Sequence, residues 1–376
     1  MKNKKAAAKK KTYGLARTSG SKRVEAPELD YRPKIPAGYR PKIGLIGCGG
    51  ITQSHLRAYR RAGLDVVALC DVVGKQAEAR AAEFYPKAAI HTDYRALLAD
   101  SRIGVVDIAT HPDIRVPMIE AAIESGKHVL SQKPFVLDLD EGERLVRLAE
   151  QRGVRLAVNQ NGRWAPHFSY MRHAVARGLV GDLLGVHFAL HWDHSWIAKT
   201  AFNEIRHAIL YDFAIHWFDM TQCLMGDRQP GRVFASFARA KDQKPKPALL
   251  AQAQVEYGGA QASLVFDACT RFGAIDRTDV IGTRGSIYST GPDLNHQKVT
   301  LHRAEGISRP RLRGKWFPDG FLGTMGELLC AIAEKREPSN SARNNLKSLS
   351  LCFAAIASAE QGAAVIPGSI RRLPGD

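Results

Sequence analysis

Asp212 and His216 lie four residues apart in a segment with helical spacing, and Asp219 follows one turn along the same stripe. Helix geometry puts Asp212 and His216 on one face, so two polar side chains point into the same space. Oxidation of an alcohol needs a group that removes the hydroxyl proton as hydride leaves the carbon, and a neutral imidazole suits that near neutral pH. His216 is therefore the candidate base, with Asp212 orienting groups or binding a substrate hydroxyl. A plainer alternative has Asp212 capping a helix and His216 packed between domains. A second constellation lies upstream. The apolar run 43–46 stops at Gly47-Cys48-Gly49-Gly50 and gives way at Ile51 to a helix-like segment, leaving free backbone N–H groups at the positive end of a helix dipole. A pyrophosphate fits such a turn. Thr52 stands where the third small residue of the dinucleotide pattern is usual. Asp71 ends the next apolar run, 22 residues beyond Gly49, at the spacing of an acid that binds the adenosine ribose and repels a 2′-phosphate. The cofactor expected is NAD, with NADP as the alternative because Lys75 is close by.

These residues need a scaffold that alternates strand and helix. Apolar runs at 42–48, 65–71, 105–109, 127–130 and 155–158 are separated by helical patterns, which specifies a parallel sheet covered by helices on both faces. Beyond Asn159 the period changes to the alternation of antiparallel strands, at 185–192, 232–239, 249–257 and 260–268, with further strands over 279–289 and 298–302. Helices are expected at about 206–225, 320–335 and 342–362. The predicted class is α/β: a Rossmann dinucleotide-binding domain over 42–160, then an α+β domain over 161–376 with an open, mostly antiparallel sheet. A cleft between them is the expected active site.

The 376 residues carry a net charge of +17, of which +10 falls in residues 1–42. The basic character is thus local, and residues 1–41 read as a disordered, solvated arm, with nucleic-acid attraction the less favoured reading. No apolar stretch has the length to cross a bilayer. The six cysteines are scattered through apolar segments without a CxxC pair, which favours reduced thiols, a cytoplasmic setting and no structural metal. Strand alternation places His187 and His191 on one face and His194 on the other, which also argues against a metal there.

With the glycine turn and the Asp212–His216 pair, the stretch Ser131-Gln132-Lys133-Pro134 resembles the glucose–fructose oxidoreductase / inositol dehydrogenase / MocA family across residues 42–365. The resemblance implies that Lys133 reaches both cofactor and substrate hydroxyl, stabilising the developing alkoxide, and that Pro134 follows a cis peptide bond. Gln132 replaces the family's glutamate, keeping hydrogen bonds to a ribose but not the charge. Thr110 and His111 stand where the family covers the nicotinamide ribose, with His111 and Arg115 replacing a proline and a histidine. Asn159 closes the last Rossmann strand and is expected at the cofactor. Arg163 and Trp164 suit a polyhydroxylated ligand and equally suit packing at the domain junction, and Trp192 and His194 suit sugar contacts or sheet packing. The implied activity is oxidation of a hydroxyl of a sugar, polyol or sugar acid by a homo-oligomer, a dimer or tetramer. The alternatives are an NAD-retaining glycosidase or lyase, and a non-catalytic dinucleotide sensor whose basic arm attracts nucleic acid.

Overall fold

The computed structural model describes residues 22–375. Eleven elements build the first domain: β1 (Lys42–Ile46), α1 (Thr52–Arg61), β2 (Asp65–Cys70), α2 (Gly74–Phe84), β3 (Ala89–His91), α3 (Tyr94–Leu98), β4 (Ile103–Ile108), α4 (Pro112–Glu124), β5 (His128–Ser131), α5 (Leu139–Gln151) and β6 (Leu156–Val158). The strands pair in the order β3-β2-β1-β4-β5-β6, every pairing parallel. The continuous apolar character of β1, β4 and β5 follows from helices on both faces. All carboxyl ends therefore meet on one edge, where Gly47, Asp71, Thr110, Gln132 and Asn159 follow their strands.

The second domain continues through a 3-10 turn (Asn161–Trp164), α6 (Pro166–Ala176), β7 (Leu183–His191), a π-helical turn (Ile209–Phe213), α7 (Ile215–Met225), β8 (Pro230–Ala238), β9 (Leu250–Tyr257), β10 (Ala260–Asp267), β11 (Ile275–Gly282), β12 (Gly285–Gly291), β13 (Lys298–Arg303), β14 (Gly306–Ser308), α8 (Trp316–Ala333) and α9 (Ala342–Gln361). Its sheet runs β14-β13-β12-β11-β7-β10-β9-β8. Only β7 and β10 are parallel; the other pairs are antiparallel. Val186, Phe188 and Leu190 of β7 point to the buried face, where Phe168 of α6 and Trp217 of α7 meet Phe188 and Phe266. Helix α8 crosses back to the first domain, placing Phe321, Met325 and Leu328 in the core beside β1 and α1.

Three expectations change. The single strand expected at 279–289 is the hairpin β11–β12: the chain reverses at Thr283-Arg284, whose N–H groups donate to Asp182 O (2.9 Å) and Val180 O (2.8 Å). Strands β3 and β14 and helix α6 join the expected elements. Residues 22–41, expected within the arm, are packed. Val24 N–H donates to Ile307 O (3.0 Å), Tyr170 hydroxyl donates to Pro27 O (3.0 Å), and Leu29 is buried. Apolar Val24, Leu29, Tyr31 and Ile35 interrupt the charge there and have surface to bury. The expectation for residues 1–21 lies outside the described residues.

Candidate active site at the carboxyl edge of the parallel sheet

Gly47 takes φ +90°, and a Cβ there would sit 2.9 Å from the Ala109 carbonyl carbon, so both backbone conformation and neighbouring chain require glycine. Gly49 and Gly50 differ: an added Cβ on either meets no protein atom within 4 Å. Among the described residues nothing accepts from the N–H groups of Gly49, Gly50 or Ile51, whereas Thr52 N–H already bonds Gly49 O (3.2 Å). Three free donors under open space at the start of α1 form the cradle a pyrophosphate needs. Thr52 is buried, its hydroxyl donating to Gly49 O (2.6 Å), so the unusual third residue ties the loop to the helix. Asp71, half-buried, accepts from Cys48 N–H (2.8 Å) and Val73 N–H (2.9 Å), which places its carboxylate beside the turn. Arg80 of α2 donates to Gly49 O (3.3 Å), a cation at the cradle that sequence reading missed.

At the other end of the edge, Lys133 precedes a cis peptide bond to Pro134. Its ammonium donates to Asp212 O (2.9 Å) and Asp212 Oδ2 (3.0 Å). Asp212 lies in the π-helical turn, where Ala214 N–H reaches back to Ile209 O (2.7 Å), and α7 begins only at Ile215. The extra residue in that turn breaks the single α-helical stripe expected from 212 to 219. Lys133 and Asp212 are thus joined directly, while Asp219 turns away to Arg163. His216 has no hydrogen-bond partner among the described residues, and its Nδ1 is buried. A Cβ at Gly162 would sit 2.9 Å from Trp316 Cζ2, so the missing side chain makes room for the Trp316 ring. Trp316 lies edge-on to His216 at 5.4 Å. Burial and the Lys133 ammonium push the His216 imidazole well below its ordinary value, keeping it a neutral proton acceptor.

Several of the expected site residues have partners within the protein. Gln132 is buried, its Oε1 accepting from Lys133 N–H (2.7 Å) and its Nε2 3.2 Å from His55 Nε2. Asn159 is likewise buried, with Nδ2 3.2 Å from His55 Nε2 and Oδ1 accepting from the Thr324 hydroxyl (2.8 Å). His55 Nδ1 meets Asp107 Oδ2 (2.7 Å), which also accepts from Tyr59 hydroxyl (2.6 Å). Sequence reading missed this network, although Thr52, His55, Leu56 and Tyr59 share the inward face of α1 and could have revealed it. Arg163 is buried against Asp219 in a two-pronged pair (both contacts 2.6 Å) and also donates to Ser339 O and Asn344 Oδ1. Trp164 packs under α8, where a Cβ at Gly323 would overlap its ring, and Arg172 covers it at 5.4 Å. Both residues therefore pack at the domain junction, with polar and flat surfaces engaged by protein groups. Trp192 and His194 stack at 5.5 Å, His194 meets Phe213 at 4.5 Å, and Trp192 meets Trp217. Trp192 Nε1 and His194 Nδ1 are buried without partners, beside the turn that holds Asp212. Thr110 abuts Gly47, and His111 stands exposed just before α4, its side chain making no capping hydrogen bond. All six cysteines are unpaired. Among the described residues no helix is long and apolar enough to cross a membrane.

Residues 41–160 match the family described as "Oxidoreductase family, NAD-binding Rossmann fold", and residues 168–288 match the GFO/IDH/MocA C-terminal domain. D-apiose dehydrogenase of Paraburkholderia graminis is 28% identical over 87% of this chain and 89% of its own length. Inositol 2-dehydrogenase of Rhizobium meliloti is 26% identical over 84% of this chain and 96% of its own. An Agrobacterium radiobacter oxidoreductase, solved with NAD+, L-tartaric acid and magnesium, shares the fold with a TM-score of 0.79 at 22% identity, covering 88% of this chain and 99% of that one.

Proposed function

This chain belongs to the Gfo/Idh/MocA oxidoreductase family, and on that premise we propose that it is a dehydrogenase that uses NAD to oxidise a hydroxyl of a sugar, polyol or sugar acid. The observation that carries the reading is the Lys133 ammonium, held on both the carbonyl and the carboxylate of Asp212 beside a neutral His216, at the same sheet edge as the phosphate cradle. NAD, when bound, supplies the hydride acceptor. Gly49, Gly50 and Ile51 hold its pyrophosphate through their free N–H groups, Asp71 receives the adenosine ribose hydroxyls and disfavours a 2′-phosphate, and Thr110 and His111 flank the nicotinamide end. Lys133 donates to the reacting oxygen and stabilises the negative charge that develops there. Asp212 fixes the ammonium and accepts from a substrate hydroxyl. His216 takes the hydroxyl proton through Nε2, the nitrogen that burial leaves available. Trp192 and His194, with unpartnered ring nitrogens, line the substrate side. The two relatives are named D-apiose dehydrogenase and inositol 2-dehydrogenase, which supports a polyhydroxylated substrate. We further propose a cytoplasmic homo-oligomer, a dimer or tetramer.

The deciding experiment follows nicotinamide reduction and substrate loss together, with NAD and separately NADP, against pentoses, inositols, anhydrosugars and sugar acids. Reduction with one polyol class, lost in Lys133→Ala and His216→Ala, is expected. Full turnover by either variant overturns the mechanism, and substrate loss without reduced cofactor replaces net oxidation by NAD-retaining cleavage.

A further inference from the structure

We infer that Arg115 is the positioning residue of the Lys133 loop: its guanidinium straps the carboxyl ends of β4 and β5 together and so sets where the lysine stands. Arg115 lies in the first turn of α4, after Pro112, and side chains there lean back toward the helix start. It is 1% exposed. Nε and Nη2 both donate to Thr110 O at the end of β4, the former at 3.1 Å. Nη1 donates to Gln132 O and Pro134 O, which bracket Lys133, and more weakly to Phe135 O (3.4 Å). The last ladder bond between these strands is Gln132 N–H to Ile108 O (2.9 Å). Beyond it, the guanidinium is the bridge from the β4 loop to the β5 loop.

Every one of these acceptors is a neutral carbonyl. Burying a cation without a carboxylate is costly, and here that cost is offset by the buried carbonyls it satisfies, which an apolar side chain would leave without a donor. What the guanidinium adds is a rigid planar fork that reaches two loops at once, which an ammonium cannot do from a single centre. Burial lowers its pKa to about 10, so it keeps its charge and all its donors at neutral pH. Lys133 is then fixed at three levels: its flanking carbonyls by Arg115, its N–H by Gln132 and its ammonium by Asp212.

The assignment of a chemical role to Lys133 rests on the proposed dehydrogenase reading; the strap itself does not. The test uses full-length Arg115→Met and Arg115→Lys. Lys133 acetylation by a dilute amine reagent is timed by peptide mass spectrometry, with exposed Lys75 of the same chain as reference. Arg115→Met should raise the Lys133/Lys75 rate ratio about tenfold, and Arg115→Lys should fall between it and the parent. On a substrate found for the parent, kcat should fall about tenfold with KM for NAD within about twofold, and the Lys variant should recover part of kcat. A folded Arg115→Met with an unchanged labelling ratio overturns the inference. If Met does not fold, an unchanged ratio in folded Arg115→Lys overturns it. Labelling reads the strap even where no substrate is turned over, so failure of the dehydrogenase reading is distinguishable from failure of this one.

Discussion

His216 has no partner on either ring nitrogen among the described residues, and burial together with the Lys133 ammonium disfavours its protonated form. As pH falls through the ordinary imidazole range near about 6.5, this ring stays neutral and remains able to accept a proton. The acid limb of kcat/KM should therefore lie below about pH 6.5, and a pH–rate profile with an acid limb above that value would remove His216 from the role of base. Replacing Lys133 or His216 with Ala should cost about 10²- to 10⁴-fold in kcat, with NADH binding retained by fluorescence titration. Asp71 makes a different prediction, because among the described residues its carboxylate accepts hydrogen bonds from backbone N–H groups alone. Asp71→Asn keeps an acceptor and removes the charge, so the NADP/NAD ratio of kcat/KM should rise about tenfold, about 1.4 kcal/mol.

The glycine turn separates two demands that look alike in the sequence. Gly47 answers to the fold, through its positive φ and the Ala109 carbonyl, while Gly49 meets no such demand from the described residues, no atom of which lies within 4 Å of an added Cβ, and under the proposed function its demand comes from the cofactor. Gly49→Val should leave thermal stability within about 0.5 kcal/mol of the parent and abolish NADH binding; Gly47→Ala should lower stability by about 1 kcal/mol or more. The aromatic layer formed by α6, α7 and the end of β7 carries a pH consequence. Burial lowers His167 to about 3 and His194 to about 4. Unfolding frees both to protonate near about 6.5, so the unfolded state binds more protons and stability falls as pH drops below that value. Each ring contributes up to about 1.4 kcal/mol per pH unit until its folded value is reached. His167→Phe should flatten the fall in urea midpoint between pH 7 and pH 5, and an unchanged slope would show that His167 does not carry it.

For the whole molecule, the two domains are joined by more than the chain at residue 160. Helix α8 enters the core of the first domain, Thr324 reaches Asn159, and Arg163 ties the junction to Asp219 and to Asn344 of α9. Residues 22–35 lie along the second domain, Val24 bonding β14 and Tyr31 hydroxyl accepting from Arg313 N–H (2.8 Å). Removing residues 2–35 should lower the melting temperature by several degrees relative to removal of residues 2–21, by losing the buried Leu29 and the Ile307 bonds. Equal melting of the two truncations would mean that the packed segment contributes nothing to stability.

The period of the apolar residues determined the parallel sheet and the change to an antiparallel one, because strand and helix repeats are local properties of the chain. Glycine spacing with Asp71 likewise marked the cradle, since a tight turn and the acid that follows it are encoded within some 22 residues. What tertiary structure decided was which polar side chains are buried against distant partners. Gln132, Asn159 and Arg163 carry the same chemistry as cleft residues, yet each finds its partner 56 or more residues away, at His55 or Asp219, and turns inward. Only the π-helical turn separated Asp212 from Asp219, because one added residue rotates a helical stripe and leaves no mark in composition. A buried polar group goes where its hydrogen bonds can be made, and that depends on distant segments that the fold brings together.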